Sequence, residues 1–320
     1  MKIIAIVGPT ASGKSALGVY LAQKLGGEII SADSRQVYRG LNIGTGKVTK
    51  REMGGIPHHL LDVANPKKQF SVSDFEKAAT RVISGLIYQA TPKLPIVVGG
   101  TGLYVDVLLG RVELPDVPPN PALRAALEKK SVEHLFAMLK KKDPMRAKTI
   151  EPKHKRRLIR ALEIASGQSK SILVGALERD GAKPEQFSSK KIAYPERIVF
   201  VQPEVLWLGL DPGEKILKKN IHSRLLARMR AGMVAEAQKL HNPPAGRGLS
   251  YKRMHELGLE YKFLGLYLEE KITKNELLEQ LERAIYKYAK RQKTWFKRNK
   301  DILWVKSKTE ALQKARRFVG

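Results

Sequence analysis

The first fifteen residues constrain this chain more than any other segment. Ile3-Ile4-Ala5-Ile6-Val7 is an unbroken aliphatic run that reads as a buried strand. It leads directly into Gly8-Pro9-Thr10-Ala11-Ser12-Gly13-Lys14-Ser15, a complete G-x-x-x-x-G-K-S loop. A helical pattern through Ala16, Leu17, Tyr20, Leu21 and Leu25 follows. Strand, glycine loop and helix stand in the order that a phosphate cradle requires. The glycines let backbone N–H groups turn inward on an anion. The helix N-terminus adds a positive dipole end, and Lys14 adds a full charge. The set expected to bind a polyphosphate or diphosphate is therefore Gly8, Thr10, Ala11, Ser12, Gly13, Lys14 and Ser15.

The pattern continues as alternating strands and helices to about residue 110. Glu28-Ile29-Ile30-Ser31-Ala32 reads as a short strand ending at Asp33. Val72, Phe75, Ala79, Val82, Ile83 and Leu86 predict a helix over 72–89, with Ser71 as N-cap and Asp74 three residues on. Pro95-Ile96-Val97-Val98 is a further strand, ending in Gly99-Gly100-Thr101-Gly102. Such alternation implies an α/β fold, a P-loop NTPase-like parallel sheet flanked by helices. The proline-rich stretch Leu114-Pro115-Asp116-Val117-Pro118-Pro119-Asn120-Pro121 breaks the pattern. Residues 121–190 read as an inserted helical domain, carrying Lys140-Lys141-Lys142 and Lys153-His154-Lys155-Arg156-Arg157. Ile198-Val199-Phe200-Val201 and Leu206-Trp207-Leu208-Gly209-Leu210 return to strand, so 1–120 and 191–320 are expected to form the P-loop core. One long amphipathic helix is expected over 213–240, then a loop at 242–248 and a mostly helical remainder.

Charge narrows the partner. Lys and Arg number 59 against 31 acids, a net charge of +28. A small-molecule kinase has no need of this, whereas a polyanion such as RNA does. No cysteine is present, which excludes thiolate metal sites and cysteine nucleophiles. With a strand starting at residue 2 and no apolar run of membrane-spanning length, the expectation is a cytoplasmic protein without a membrane anchor.

Asp33 falls where carboxyl ends of strands line a ligand crevice, suited to hold magnesium, act as a general base or form a turn. The strand at 95–98 ends in glycines and Thr101 where a P-loop ATPase carries a metal-binding carboxylate, which argues against ATP hydrolysis. Arg224 and Arg228 stand one helical turn apart, and either could fork onto a diphosphate. Arg283 to Arg298 interleaves basic and aromatic residues. Ile285, Tyr288, Trp295 and Phe296 are expected mostly in the core, and Lys290 and Arg291 toward RNA. His58-His59 has no metal-site spacing and reads as loop.

Taken in order, these motifs resemble the tRNA dimethylallyltransferase family of bacterial type. The matching pieces are the P-loop, Ser31-Ala32-Asp33-Ser34-Arg35-Gln36-Val37-Tyr38-Arg39-Gly40-Leu41-Asn42-Ile43-Gly44-Thr45 and Pro57-His58-His59-Leu60-Leu61-Asp62. Gly99-Gly100-Thr101-Gly102-Leu103-Tyr104, Arg157-Leu158-Ile159-Arg160-Ala161-Leu162-Glu163 and Ala289-Lys290-Arg291-Gln292-Lys293-Thr294-Trp295-Phe296 complete the match. The resemblance implies transfer of the dimethylallyl group of dimethylallyl diphosphate to N6 of adenosine 37 in a tRNA anticodon stem-loop, by a monomer using Mg2+. The target base leaves its stack to reach the reactive carbon. The resemblance further implies Asp33 as general base, Thr10 near the bridging oxygen, and Lys14, Ser15 and Arg224 on the diphosphate and its metal. Ser34, Gln36 and Thr101 position the adenine and the reacting groups. Lys155, Arg156, Arg157, Lys290 and Arg291 grip RNA. The chain departs from the family where it reads Leu249-Ser250-Tyr251-Lys252-Arg253-Met254 in place of a Gly-Tyr-Lys-Glu stretch.

Three rival readings stand beside this one. A free-adenylate isopentenyltransferase shares the core chemistry but has no use for the +28 charge. A P-loop small-molecule kinase does not account for the segment from Asp33 to Tyr38 followed by Gly99-Gly100-Thr101, and a non-catalytic RNA-binding module needs none of Asp33, Lys14 and Arg224.

Overall fold

The structure, a computed structural model, describes residues 1–177, 203–244, 246 and 248–320, with backbone only over 168–177. The expected strand Ile198-Val199-Phe200-Val201 lies outside the described residues. Strands are β1 (Lys2–Val7), β2 (Gly27–Ala32), β3 (His58–His59), β4 (Leu94–Gly99), β5 (Glu204–Gly209) and β6 (Leu303–Trp304). Helices α1 (Lys14–Leu25), α2 (Lys50–Met53), α3 (Val72–Tyr88) and α4 (Gly102–Leu108) alternate with the first strands. Helices α5 (Pro121–Glu128), α6 (Val132–Lys142), α7 (Pro144–Thr149) and α8 (Lys155–Leu177) follow one another without a strand. The remainder comprises α9 (Glu214–Arg230), α10 (Met233–His241), α11 (Tyr251–Leu257), α12 (Leu259–Leu268), α13 (Lys274–Phe296) and α14 (Lys308–Val319).

Two compact units result, one from Met1–Glu113 with Val199–Gly320 and one from Leu114–Ile198. In the first, the described strands form a parallel sheet in the order β3-β2-β4-β1-β5-β6. Both faces of β1 are buried, as its unbroken apolar run requires. Ile3, Ala5 and Val7 meet Phe75, Ala79 and Ile83 of α3 and Tyr104 and Val105 of α4. Ile4 and Ile6 meet Leu17 and Leu21 of α1 and Ala311 and Ala315 of α14. A third cluster joins Val37, Tyr38 and Leu41 to helices α9–α13. The register brings Val7, Ala32, Gly99 and Gly209 to one level across four adjacent strands. The loops leaving those residues therefore open at one edge of the sheet, where ligands bind in folds of this kind.

The second unit has its own core of Leu127, Leu135, Leu139, Leu158, Ile159 and Leu162. Asn120, Ser131 and Asp143 start three of its helices by accepting bonds from the N–H three residues on. Buried Glu163 receives Arg124 at 2.7 Å and Arg160 at 2.5 Å, so the Arg157–Glu163 motif encodes packing as well as charge.

Two expectations are corrected. The helix over 213–240 is two helices, because Gly232 takes a left-handed conformation with φ of 96° and ends the first. His58-His59 is an edge strand, with His59 Nε2 paired to Glu28 Oε2 across 2.7 Å. The C-terminal remainder is mostly helical, as expected, and includes the two-residue strand β6, too short to show any periodicity.

Candidate active site

The P-loop leaves β1 at Gly8, where a Cβ would stand 2.3 Å from Leu210 O beyond β5. Only glycine lets the two backbones approach in this way. Gly13, with φ of 94°, is the N-cap of α1 and provides no side chain to cap it. The first N–H groups of α1 thus face the loop without an intrahelical partner. Ser12 Oγ is buried with no hydrogen-bond partner among the described residues. Uncapped N–H groups and a buried orphan hydroxyl fit an anion in the loop.

Lys14 Nζ donates to Pro9 O at 2.6 Å. Burial pushes its pKa down to about 7, the Asp33 carboxylate opposing that shift and Arg224 adding to it. Lys14 thereby stands in the fields of both residues. Arg224, on α9, is itself lowered by burial and by Arg228. No hydrogen bond or ion pair ties Arg224 among the described residues. Arg228, by contrast, donates to Gly44 O at 2.6 Å and pairs with Glu260 at 3.0 Å. Of the two arginines singled out by spacing, Arg228 is thus tied and Arg224 is not, among the described residues. A polar cleft runs between Thr10, Ala11, Thr45, Arg224 and Glu260.

Asp33 follows β2. Its Oδ1 accepts the N–H groups of Arg35 at 2.8 Å and Gln36 at 3.3 Å, so the turn-forming reading holds. Its Oδ2 has no hydrogen bond among the described residues. Thr101 Oγ1 accepts the Ser34 N–H at 3.1 Å, and Thr101 N donates to Ala32 O at 3.3 Å. Asp33, Ser34 and Thr101 are thus joined at the strand ends. Gln36 enters this arrangement through its backbone, its carbonyl also accepting Asp62 N–H at 3.3 Å.

Ser15 is exposed in the first turn of α1. Among the described residues, no group of three His, Asp or Glu side chains is placed to hold a metal ion. A magnesium ion held by one hydroxyl and phosphate oxygens needs no such cluster. Lys290 and Arg291 are exposed on α13, while Ile285, Ala289 and Phe296 of that helix are buried. In the helical unit, Lys155 donates to Glu128 O at 2.6 Å and Arg157 lies 3.5 Å from Glu151, whereas Arg156 is exposed.

The sequence reasoning assigned no active-site role to three neighbours of these residues. Asn220 on α9 donates to Ala11 O at 3.1 Å and braces the P-loop. Tyr288, expected mostly in the core, stands beside Thr101 and in the field of Asp33, and burial with that charge pushes its hydroxyl up to about 12. Gln292 bonds the P-loop directly, its Oε1 accepting Thr10 N–H at 2.8 Å. A polar residue in the apolar row Leu281, Ile285, Ala289, Phe296 was the available clue to Gln292.

The family model described as IPP transferase matches residues 36–299. The chain belongs to this family. It is a transferase, and its sheet is the P-loop NTPase-like fold of the IPP transferases. It is 35% identical to tRNA dimethylallyltransferase 1 of Geotalea uraniireducens, over 99% of this chain and 96% of that one. It is 40% identical to tRNA dimethylallyltransferase 2 of Treponema denticola, over 92% and 91% of the two chains. Among solved structures, the tRNA isopentenylpyrophosphate transferase of Bacillus halodurans superposes with a TM-score of 0.65 at 34% identity, covering 99% of this chain and 95% of that chain. Among the described residues, no helix is long and apolar enough to cross a membrane.

Proposed function

We propose that this member of the IPP transferase family is a tRNA dimethylallyltransferase. It moves the dimethylallyl group of dimethylallyl diphosphate onto N6 of adenosine 37 in the tRNA anticodon stem-loop and releases diphosphate. The observation that carries this reading is that the P-loop and Asp33 leave strand ends at one level, with Thr10 and Arg224 on one cleft and Lys14 near both Asp33 and Arg224. A proton acceptor and two cations for a departing anion thereby share one site at the strand ends.

In the reaction, the N6 lone pair forms a bond to C1 of the prenyl group. The C1–oxygen bond breaks, and its electron pair leaves with the diphosphate. Asp33 takes the N6 proton through its free Oδ2. The uncapped N–H groups of α1, Ser12 Oγ, Lys14 and Arg224 receive the negative charge that develops on the leaving group. Preorganised donors of this kind stabilise the transition state more than the ground state. The Ser15 hydroxyl would hold Mg2+, which when bound neutralises part of the diphosphate charge. Ser34, Gln36 and Thr101 position the adenine. The net charge of +28 favours tRNA over a free nucleotide as acceptor. We place the enzyme in the cytoplasm, acting as a monomer.

The test offers purified protein, Mg2+ and labelled dimethylallyl diphosphate to tRNA and AMP side by side. Label at N6 of adenosine 37 supports the reading. Label in AMP alone overturns the acceptor, and ATP consumption without label overturns the reaction.

A further inference from the structure

We infer that Gln292 is a positioning residue for prenyl transfer, its single amide fixing the P-loop threonine against the turn that carries Thr101. The inference rests on the transfer reading, because Thr10 and Thr101 matter to it as groups flanking the reacting atoms. Gln292 is 6% exposed and sits on the apolar face of α13. A primary amide buried there is costly unless both of its ends are bonded. Both are. Oε1 accepts Thr10 N–H at 2.8 Å, and Nε2 donates to Gly100 O at 2.8 Å.

The two partners lie on loops leaving adjacent parallel strands, β1 and β4, whose ends Val7 and Gly99 are in register. One side chain therefore spans the gap between the P-loop and the glycine turn. Its geometry admits few substitutes. Glutamate keeps the acceptor and lacks the donor, leucine lacks both, and asparagine is one methylene short. The turn is fitted to the amide as well, since a Cβ at Gly100 would stand 2.3 Å from Gln292 Nε2. Thr10, whose N–H is held by Gln292, is one of the residues that line the cleft. Thr101, next to Gly100, receives Ser34 N–H and adjoins Tyr288, one turn before Gln292 on the same helix. Displacing the clamp moves both threonines by a fraction of an ångström or more, which is enough to slow a step that depends on alignment.

The experiment compares wild type with Gln292→Leu, Gln292→Glu and Gly100→Ala under saturating tRNA and dimethylallyl diphosphate. It records kcat, both KM values, tRNA affinity and thermal midpoint. The expected result is a 10- to 100-fold fall in kcat for Gln292→Leu and Gly100→Ala, on the order of what small misplacements cost. A smaller fall is expected for Gln292→Glu, with tRNA affinity within two-fold throughout. Gly100→Ala attacks the clamp from its other side, so a Gln292→Leu protein that fails to fold does not decide the matter. A kcat within two-fold of wild type in Gly100→Ala and either Gln292 variant overturns the inference. So does a kcat loss that simply tracks the thermal midpoint across the three variants. A wild-type protein that transfers no label overturns the transfer reading itself, and this inference with it.

Discussion

The backbone N–H of Ser34 donates to Thr101 Oγ1 over 3.1 Å, tying the residue after Asp33 to the turn after β4. Together with the Arg35 and Gln36 N–H groups on Oδ1, this bond fixes the turn and leaves Oδ2 of Asp33 without a hydrogen bond among the described residues. Asp33→Asn retains an oxygen acceptor for the turn and removes the base. A general base contributes about 10²- to 10⁴-fold, so kcat is expected to fall by that order. Affinity for tRNA should stay within a few-fold. Retention of most activity in a single-turnover assay would remove Asp33 from the role of base.

The lowered pKa of Lys14 predicts that diphosphate binding takes up a proton. That pKa is held down to about 7 in the ligand-free site, burial being the larger cause. A bound anion favours the ammonium and raises that value again. Below pH 6 the ammonium is already present and binding takes up no proton at Lys14. At pH 8 most Lys14 is neutral, and binding takes up a proton approaching one per site. Titration calorimetry of dimethylallyl diphosphate in two buffers of different ionisation enthalpy measures this uptake. The control is Lys14→Arg, whose guanidinium stays charged across the range. Equal uptake by the two proteins at pH 8 would show that the proton goes elsewhere.

The elements that place this site were legible because local chemistry dictates them. The apolar run of β1, the P-loop glycines and the Ser71–Asp74 capping box each act within a few residues. Asp33 and Thr101 were legible for the same reason, as residues just past strand ends. What escaped depends on partners far along the chain. Gln292 reads as a flaw in an apolar helix face until Thr10 is seen opposite it, 282 positions away. Glu236 accepts Asn42, Ile43 and Gly44 N–H at 3.0, 2.7 and 2.9 Å, and nothing in its helix announces that loop. In the atypical stretch at 249–254, Ser250 caps α11 and Arg253 donates to Pro66 O and Lys68 O, each at 2.7 Å. That substitution pattern thus ties down a neighbouring loop, which no local rule foretells.

The adjacent arginines of α9 should separate activity from stability. Arg224 has no hydrogen-bonded partner among the described residues, whereas Arg228 is bonded to buried Glu260 and to Gly44 O. Arg224→Ala is expected to lower kcat by about 10²- to 10³-fold, the scale for losing one donor to a developing anion. Its thermal midpoint should stay within a few degrees of wild type. Arg228→Ala leaves the Glu260 charge buried and unpaired, a change that costs about 3–5 kcal/mol. Chemical denaturation and initial rates, measured on both variants, check the contrast. A destabilised Arg224→Ala with normal turnover would reverse the assignment.

The basic run that opens α8 should contribute unequally to RNA affinity. Lys155 is engaged by Glu128 O at 2.6 Å and Arg157 approaches Glu151 at 3.5 Å, while Arg156 is exposed. A cation already held by the protein gains less from a phosphate than a free one. Each phosphate contact contributes roughly one unit to the slope of log affinity against log salt. Arg156→Ala is therefore expected to reduce that slope by about one unit, with a smaller change for Lys155→Ala. Reversing all three charges should weaken tRNA binding further and flatten its salt dependence. Filter binding of tRNA from 50 to about 200 mM salt resolves such slopes, since several contacts change affinity by orders of magnitude over that range. Unchanged slopes in all three variants would move the RNA contact off the start of α8, leaving the exposed cations of α13, Lys290 and Arg291, as the next surface to vary.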